Sequence, residues 1–292
     1  MDRWRLYPWI VRTSWAALAL LAGPALAAAL DAYPPPLRTT ASAGLWAAWA
    51  VVVCATLAPH PVGLTLLRMA APSAVLVAAW AVGQASVVAA LAALGGAGVA
   101  MTLAFLPETG MLFVNGPAYP NERRYPLRPP GALMLGPIPL AWVAAVGGPC
   151  GAVLLVAAGR WLAGAVVAVV GGAGVFVGGR ALHGLSRRWV VFVPAGVVLH
   201  DPMSLVDPVL FQRQMVSGLA PAPADTDAYD LTQRAPGLAL QLDLAEEASL
   251  VLVQPGQRVG PTVAAKRIMF TPSRPGRVLE EARQRRLAGA RQ

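Results

Sequence analysis

The chain has 292 residues, 57% hydrophobic and only 13% charged, roughly half the charged share of a soluble domain. That composition excludes a purely soluble globular protein. A formal charge of +9 then reads as topological signal and attraction to anionic lipid, not as a nucleic-acid surface. Residues 1–180 hold 10 of the 23 basic and 4 of the 14 acidic residues, so a membrane region (1–180) precedes a soluble one (181–292).

Residues 1–12 interleave Arg3, Arg5 and Arg12 with Trp4, Tyr7 and Trp9, the aromatic and cationic mixture of a cytoplasmic membrane interface. Apolar runs then predict six transmembrane helices over roughly 13–32, 41–58, 64–82, 85–106, 133–158 and 161–179, each near the ~20 residues a bilayer requires. The first run ends in small residues around Ala25 and Ala27 that resemble a signal-peptidase site; we read it as an uncleaved helix. Pro34, Pro35 and Pro36 predict a loop over 31–40, because proline removes an amide donor and crowds the preceding turn. The same reasoning predicts a kink at Pro149 in the fifth span. Residues 107–131, with Glu108, Glu122, Arg123, Arg124, Arg128 and six prolines, read as the longest loop of the membrane half.

Arg180, Arg187 and Arg188 form a cationic stop after the last span, followed by Trp189 at headgroup level. With both termini inside, ten of the twelve arginines in residues 1–188 are cytoplasmic and only Arg38 and Arg160 external. Both termini are therefore expected in the cytoplasm, as in a multi-pass membrane protein oriented by its arginines.

Beyond residue 188 the apolar period falls to that of strands. Candidates are 189–193, 196–200, 209–216, 238–244, 249–253 and 267–271, with 217–230 a polar loop. Leu238, Leu240, Leu242 and Leu244 alternate with Gln241 and Asp243, which points the leucines to one face. Arg277 to Leu287 reads as a closing helix after Pro275-Gly276.

A hairpin opening on Arg187-Arg188-Trp189, several antiparallel strands and a helix introduced by Pro275-Gly276 resemble the bacterial pleckstrin-homology-like domains attached to transmembrane helices. The layout of the whole chain is similar to that of actinobacterial integral membrane proteins. The resemblance implies a partly open barrel closed by the C-terminal helix and a role in membrane-associated assembly. It implies no active site.

Candidate chemistry is sparse. His60, His183 and His200 lack the paired spacing of metal ligands, and Asp201, Asp207, Asp225, Asp227 and Asp230 lack the rhythm of a calcium loop. Cys54 and Cys150 lie in apolar runs, as free thiols do. No cofactor, metal or nucleic-acid partner is expected. Gly164, Gly172, Gly174 and Gly178 are candidates for helix packing, since small residues let helix backbones approach closely in a membrane. Arg274, Arg277, Arg283, Arg285, Arg286 and Arg291 make the tail basic, and the first five are candidate contacts to anionic lipid headgroups. The expected function is a non-enzymatic membrane scaffold or assembly factor whose β domain touches the membrane surface or a protein partner. The alternative is a transporter or a lipid-modifying enzyme subunit using the 107–131 segment.

Overall fold

A computed structural model describes residues 3–254 and 260–287; Arg291 lies outside them. The described chain divides into two compact units, one of residues 1–116 and 139–183, the other of 117–138 and 184–292.

The first unit contains six helical stretches long and apolar enough to span a membrane: Leu6–Leu30, Pro35–Leu57, Pro61–Gln84, Val87–Phe105, Pro137–Ala157 and Trp161–Leu185. Helix α1 is Arg3–Leu30 and α2 is Pro35–Leu57. The predicted proline loop is therefore shorter than expected. Pro35 and Pro36 occupy the first turn of α2, where an amide proton would have no helical partner and the fixed φ is already helical. Helix α3, Pro61–Ala81, begins at His60, whose Nδ1 accepts from the Val62 amide at 3.3 Å. Helix α4 is Val87–Phe105.

Arginines from neighbouring helices satisfy exposed helix ends. Arg12 donates to the carbonyls of Thr56 and Leu57 at the end of α2, at 3.1 and 3.4 Å. Arg68 donates to the Ala104 carbonyl near the end of α4, at 3.3 Å. These carbonyls have no intrahelical donors, and charged donors suit the negative end of the helix dipole.

The fifth span has three parts: α7 (Pro137–Trp142), a π-helical turn over Val143–Gly147, and α8 (Gly148–Ala157). The irregularity falls directly before Pro149, which cannot donate to the turn behind it. Helix α9, Trp161–Leu185, closes the unit.

On α9, Gly164, Gly171 and Gly178 are buried. Seven residues are close to two full turns, so the three share one face. A Cβ on Gly171 would lie 3.0 Å from the Gly148 backbone, and one on Gly178 would lie 2.5 Å from the Ala141 carbonyl oxygen. Gly164 meets Val156 and Gly174 meets Ala144, whereas Gly172 has nothing within 4 Å. Gly171→Val should therefore force the last two spans apart, at a cost of about 1–3 kcal/mol, and Gly172→Val should be nearly neutral. Thermal unfolding of the detergent-solubilised variants checks this; equal midpoints would refute the packing contact.

In the second unit, four strands form one antiparallel sheet: β1 (Arg123–Pro126), β2 (Trp189–Val193), β3 (Gly196–His200) and β4 (Val209–Gln212), in that order. The other sheet runs β5 (Val216–Pro221), β7 (Leu240–Val251), β8 (Thr262–Phe270) and β6 (Tyr229–Asp230), antiparallel except that β6 is parallel to β8. Single bridges at Leu127–Pro272 and Leu205–Leu252 sew between strands without closing a ring. The expected barrel is thus two sheets, and no closed barrel is formed among the described residues. Residues 217–230 are not wholly loop, since they supply most of β5 and all of β6.

Residues 107–131 differ most from expectation. They form helix α5 (Pro107–Asn115), strand β1 and the start of a short helix α6 (Gly131–Met134). Because β1 pairs with β2, the segment between the fourth and fifth long apolar helices and the segment after the sixth would lie on one side of any bilayer that those helices cross.

The inward face of the first sheet carries Tyr125, Val190, Phe192, Val197, Leu199 and Phe211, all buried. The second contributes Leu219, Leu240, Leu242, Leu244, Ile268 and Phe270. Gln241 is also buried, on the opposite face, where Thr226 and Asp243 hydrogen-bond to it. Helix α10, Pro275–Gln284, adds Val278 and Ala282 to the core.

Candidate interaction surfaces

Helix α10 lies alongside β1 and runs antiparallel to it. The Ser273 amide, just before the helix, donates to the Pro126 carbonyl at 2.8 Å. At the other end, Arg285 donates to the Asn121 carbonyl at 3.0 Å. Glu281 holds the middle, accepting from the Tyr125 hydroxyl at 3.0 Å and from Arg285 at 2.6 Å. Burial, and then the Glu281 carboxylate, push the Tyr125 hydroxyl pKa up.

The five candidate arginines of the tail are therefore not equivalent. Arg274, Arg277, Arg283 and Arg286 are exposed. Arg277 stands 3.6 Å from Glu280, and the two share the exposed side of the helix. Arg285 is drawn in by Glu281 and Asn121, and its own carbonyl accepts from Arg213 at 2.6 Å. Arg285, one of the five candidate lipid contacts, instead lies one turn from Glu281 on the side that meets β1. A shallow open depression of about 480 Å³ lies at this end, lined by Asn121, Arg123, Pro194, Glu281, Gln284 and Arg285 among others.

By its place after the sixth apolar run, Arg188 is expected in a cationic stop at the membrane face. It is instead fully buried in a bidentate pair with Asp201, with Nε–Oδ1 and Nη2–Oδ2 distances of 2.7 Å. Its Nη1 donates to the Arg128 carbonyl at 2.9 Å. Asp201 also accepts from the Met203 amide and the Ser204 hydroxyl. A signal for the pair was present in the sequence. The predicted hairpin sets Trp189 opposite His200, so the next rung outward sets Arg188 opposite Asp201.

The histidines are dispersed in role. His60 caps α3, and the Nδ1 of His183 lies 3.0 Å from Thr65 Oγ1. His200 stacks on Trp189 with ring centroids 4.9 Å apart, and Arg124 lies over the same indole. Burial and the nearby Arg187 lower the His200 pKa. Among the described residues no three His, Cys, Asp or Glu side chains are grouped to hold a metal ion. Glu108 lies in the first unit and Glu122 in the second, where it pairs with Arg124 at 2.9 Å. The charges of the 107–131 segment are thereby divided between the two units.

Comparison of the chain with protein-family models, curated proteins and solved structures finds no match.

Proposed function

We propose that this protein is a non-enzymatic membrane scaffold or assembly factor, and that the end of its β unit formed by β1 and the α10 C-terminus receives a protein partner. One observation carries this reading: the β unit is assembled from two separate stretches of chain. Residues 117–138 and 184–292 fold together, so the unit is joined covalently to the spans at three points and not through one swivelling linker. Such multiple attachment suits a platform that must present a surface in a defined way, because less orientational freedom is lost on binding. Tyr125, Glu281 and Arg285 preorganise that surface, and the depression beside them offers both charge signs to a polar partner. The membrane is expected to be the bacterial inner membrane, with the β unit in the cytoplasm.

A photo-crosslinking side chain introduced at Gln284 in living cells tests the reading. It should yield one discrete adduct with a second protein, lost in an Arg123→Glu variant that still folds. Adducts with lipid alone, or none at all, would overturn it.

A further inference from the structure

We infer that the β unit seats on anionic lipid through a collar at the opposite end from that surface, and that the C-terminal arginines of α10 take no part in the contact. The inference is independent of whether a protein partner binds.

The collar consists of two loops and the segment that carries α6, held by specific contacts. Residues 128–131 meet residues 234–237: a Cβ on Gly131 would lie 2.6 Å from the Arg234 carbonyl oxygen, and the Arg128 side chain lies against Gly237. Residues 232–238 in turn meet residues 201–204, where Gln233 Nε2 donates to the Met203 carbonyl and to the Ser204 hydroxyl, both at 2.8 Å. The buried Arg188–Asp201 pair and its bond to the Arg128 carbonyl fasten the α6 segment to residues 201–204.

This rim presents apolar tips and arginines together. Leu135 is 95% exposed, Leu238 51% and Met134 48%. Arg187, Arg234 and Arg274 are exposed on the same rim. Apolar side chains flanked by arginine are the composition of a surface that inserts shallowly among anionic headgroups. Chain continuity names the occupant. Leu135 stands two residues before the fifth span begins at Pro137, and Arg187 two residues after the sixth ends at Leu185. Chain of that length reaches only about 7 Å, so both residues lie close to the headgroup layer if those helices cross the bilayer.

The geometry of α10 then separates its arginines. Its N-terminus lies at the collar, where Ser273 meets Pro126, and its C-terminus lies at Asn121. Arg283 is nine residues beyond Arg274, about 14 Å along the helix at its ordinary rise. Surface attraction decays over about 8 Å at physiological salt. A bilayer at the collar therefore attracts Arg274 and leaves Arg283 and Arg286 largely screened. Sequence alone treats the five arginines as one lipid-binding set; we assign Arg274 to the collar, in company with Arg187 and Arg234, which lie far from it in sequence.

The test uses the full chain in nanodiscs of phosphatidylcholine, with or without phosphatidylglycerol, carrying a trace of nitroxide-headgroup lipid. Cys54 and Cys150 are replaced by alanine, and a fluorophore is attached through Leu238→Cys or Arg283→Cys. The label at position 238 should be quenched in the anionic discs and the label at 283 should not. Each collar arginine should contribute a factor of about five to the seated population. The triple variant Arg187→Gln, Arg234→Gln, Arg274→Gln should therefore lose most quenching at 238 while keeping its thermal midpoint. Arg283→Gln with Arg286→Gln should leave the 238 signal unchanged. Equal quenching at both positions, no quenching at 238, or a triple variant indistinguishable from the parent would each overturn the inference. The partner surface is read separately by the adduct at Gln284, so failure of one leaves the other measurable.

Discussion

Asp201→Ala should destabilise the β unit by about 3–5 kcal/mol, the usual cost of stranding one member of a buried ion pair. Both side chains of the pair are 1% exposed, so neither can recover hydration when its partner is removed. The loss would propagate, because Asp201 also anchors the Met203 amide and the Ser204 hydroxyl, and Arg188 holds the Arg128 carbonyl. Domains are stable by only about 5–15 kcal/mol, so the variant should be cut within residues 184–292 at protease concentrations the parent resists. The double replacement Arg188→Met, Asp201→Leu should recover much of the loss, since an apolar pair carries no stranded charge. A single variant as resistant as the parent would show that the pair does not hold the hairpin to the loops around it.

The second large effect concerns β1. A fragment beginning at Arg187 is what the sequence suggests as a self-contained domain, yet it omits a strand of the first sheet. It lacks Tyr125 and Leu127, buried to 7% and 6% exposure, each contributing about 1.5–3 kcal/mol by burial. It also lacks the Arg128 carbonyl that Arg188 bonds, and Glu281 loses the Tyr125 hydroxyl. The fragment 187–292 should therefore show no cooperative thermal transition. Joining residues 117–130 to it through a flexible linker should restore one, together with a near-ultraviolet dichroism signal from ordered aromatic rings. Cooperative unfolding of the short fragment alone would refute the structural role of β1.

What was legible in the sequence divides along physical lines. Six spans follow from apolar length, which needs no tertiary information. The hairpin of β2 and β3 follows from two apolar runs around Pro194-Ala195, and its observed limits match the expected ones. Strand β1 was hidden because Arg-Arg-Tyr-Pro has neither length nor alternation. It is extended through its pairing with β2, a partner about 60 residues away. Strands β5 and β6 were missed for a similar reason: Pro221 and the aspartates of 225–230 carry turn propensity that pairing with β7 and β8 overrides. Gly171 is absent from the glycines that the sequence singles out, because in so glycine-rich a helix only burial marks the three that recur every seven residues. Arg188 looked like a membrane-face cation because position relative to a span is the stronger local cue. Only the cross-strand register exposes its partner.

The splicing of β1 into the sheet also sets a timetable for synthesis. The ribosome makes Arg123–Pro126 about 60 residues before Trp189. At 5–20 residues per second, β1 waits roughly 3–12 s for its neighbour, while the fifth and sixth spans enter the bilayer. During that interval a bare strand is exposed to mispairing. Two arginines and a proline in four residues make it a poor template for a wrong partner. The features that concealed β1 as a strand are thus the ones that keep it unclaimed until β2 emerges, and the β unit becomes a checkpoint that closes only after the sixth long apolar helix has been made.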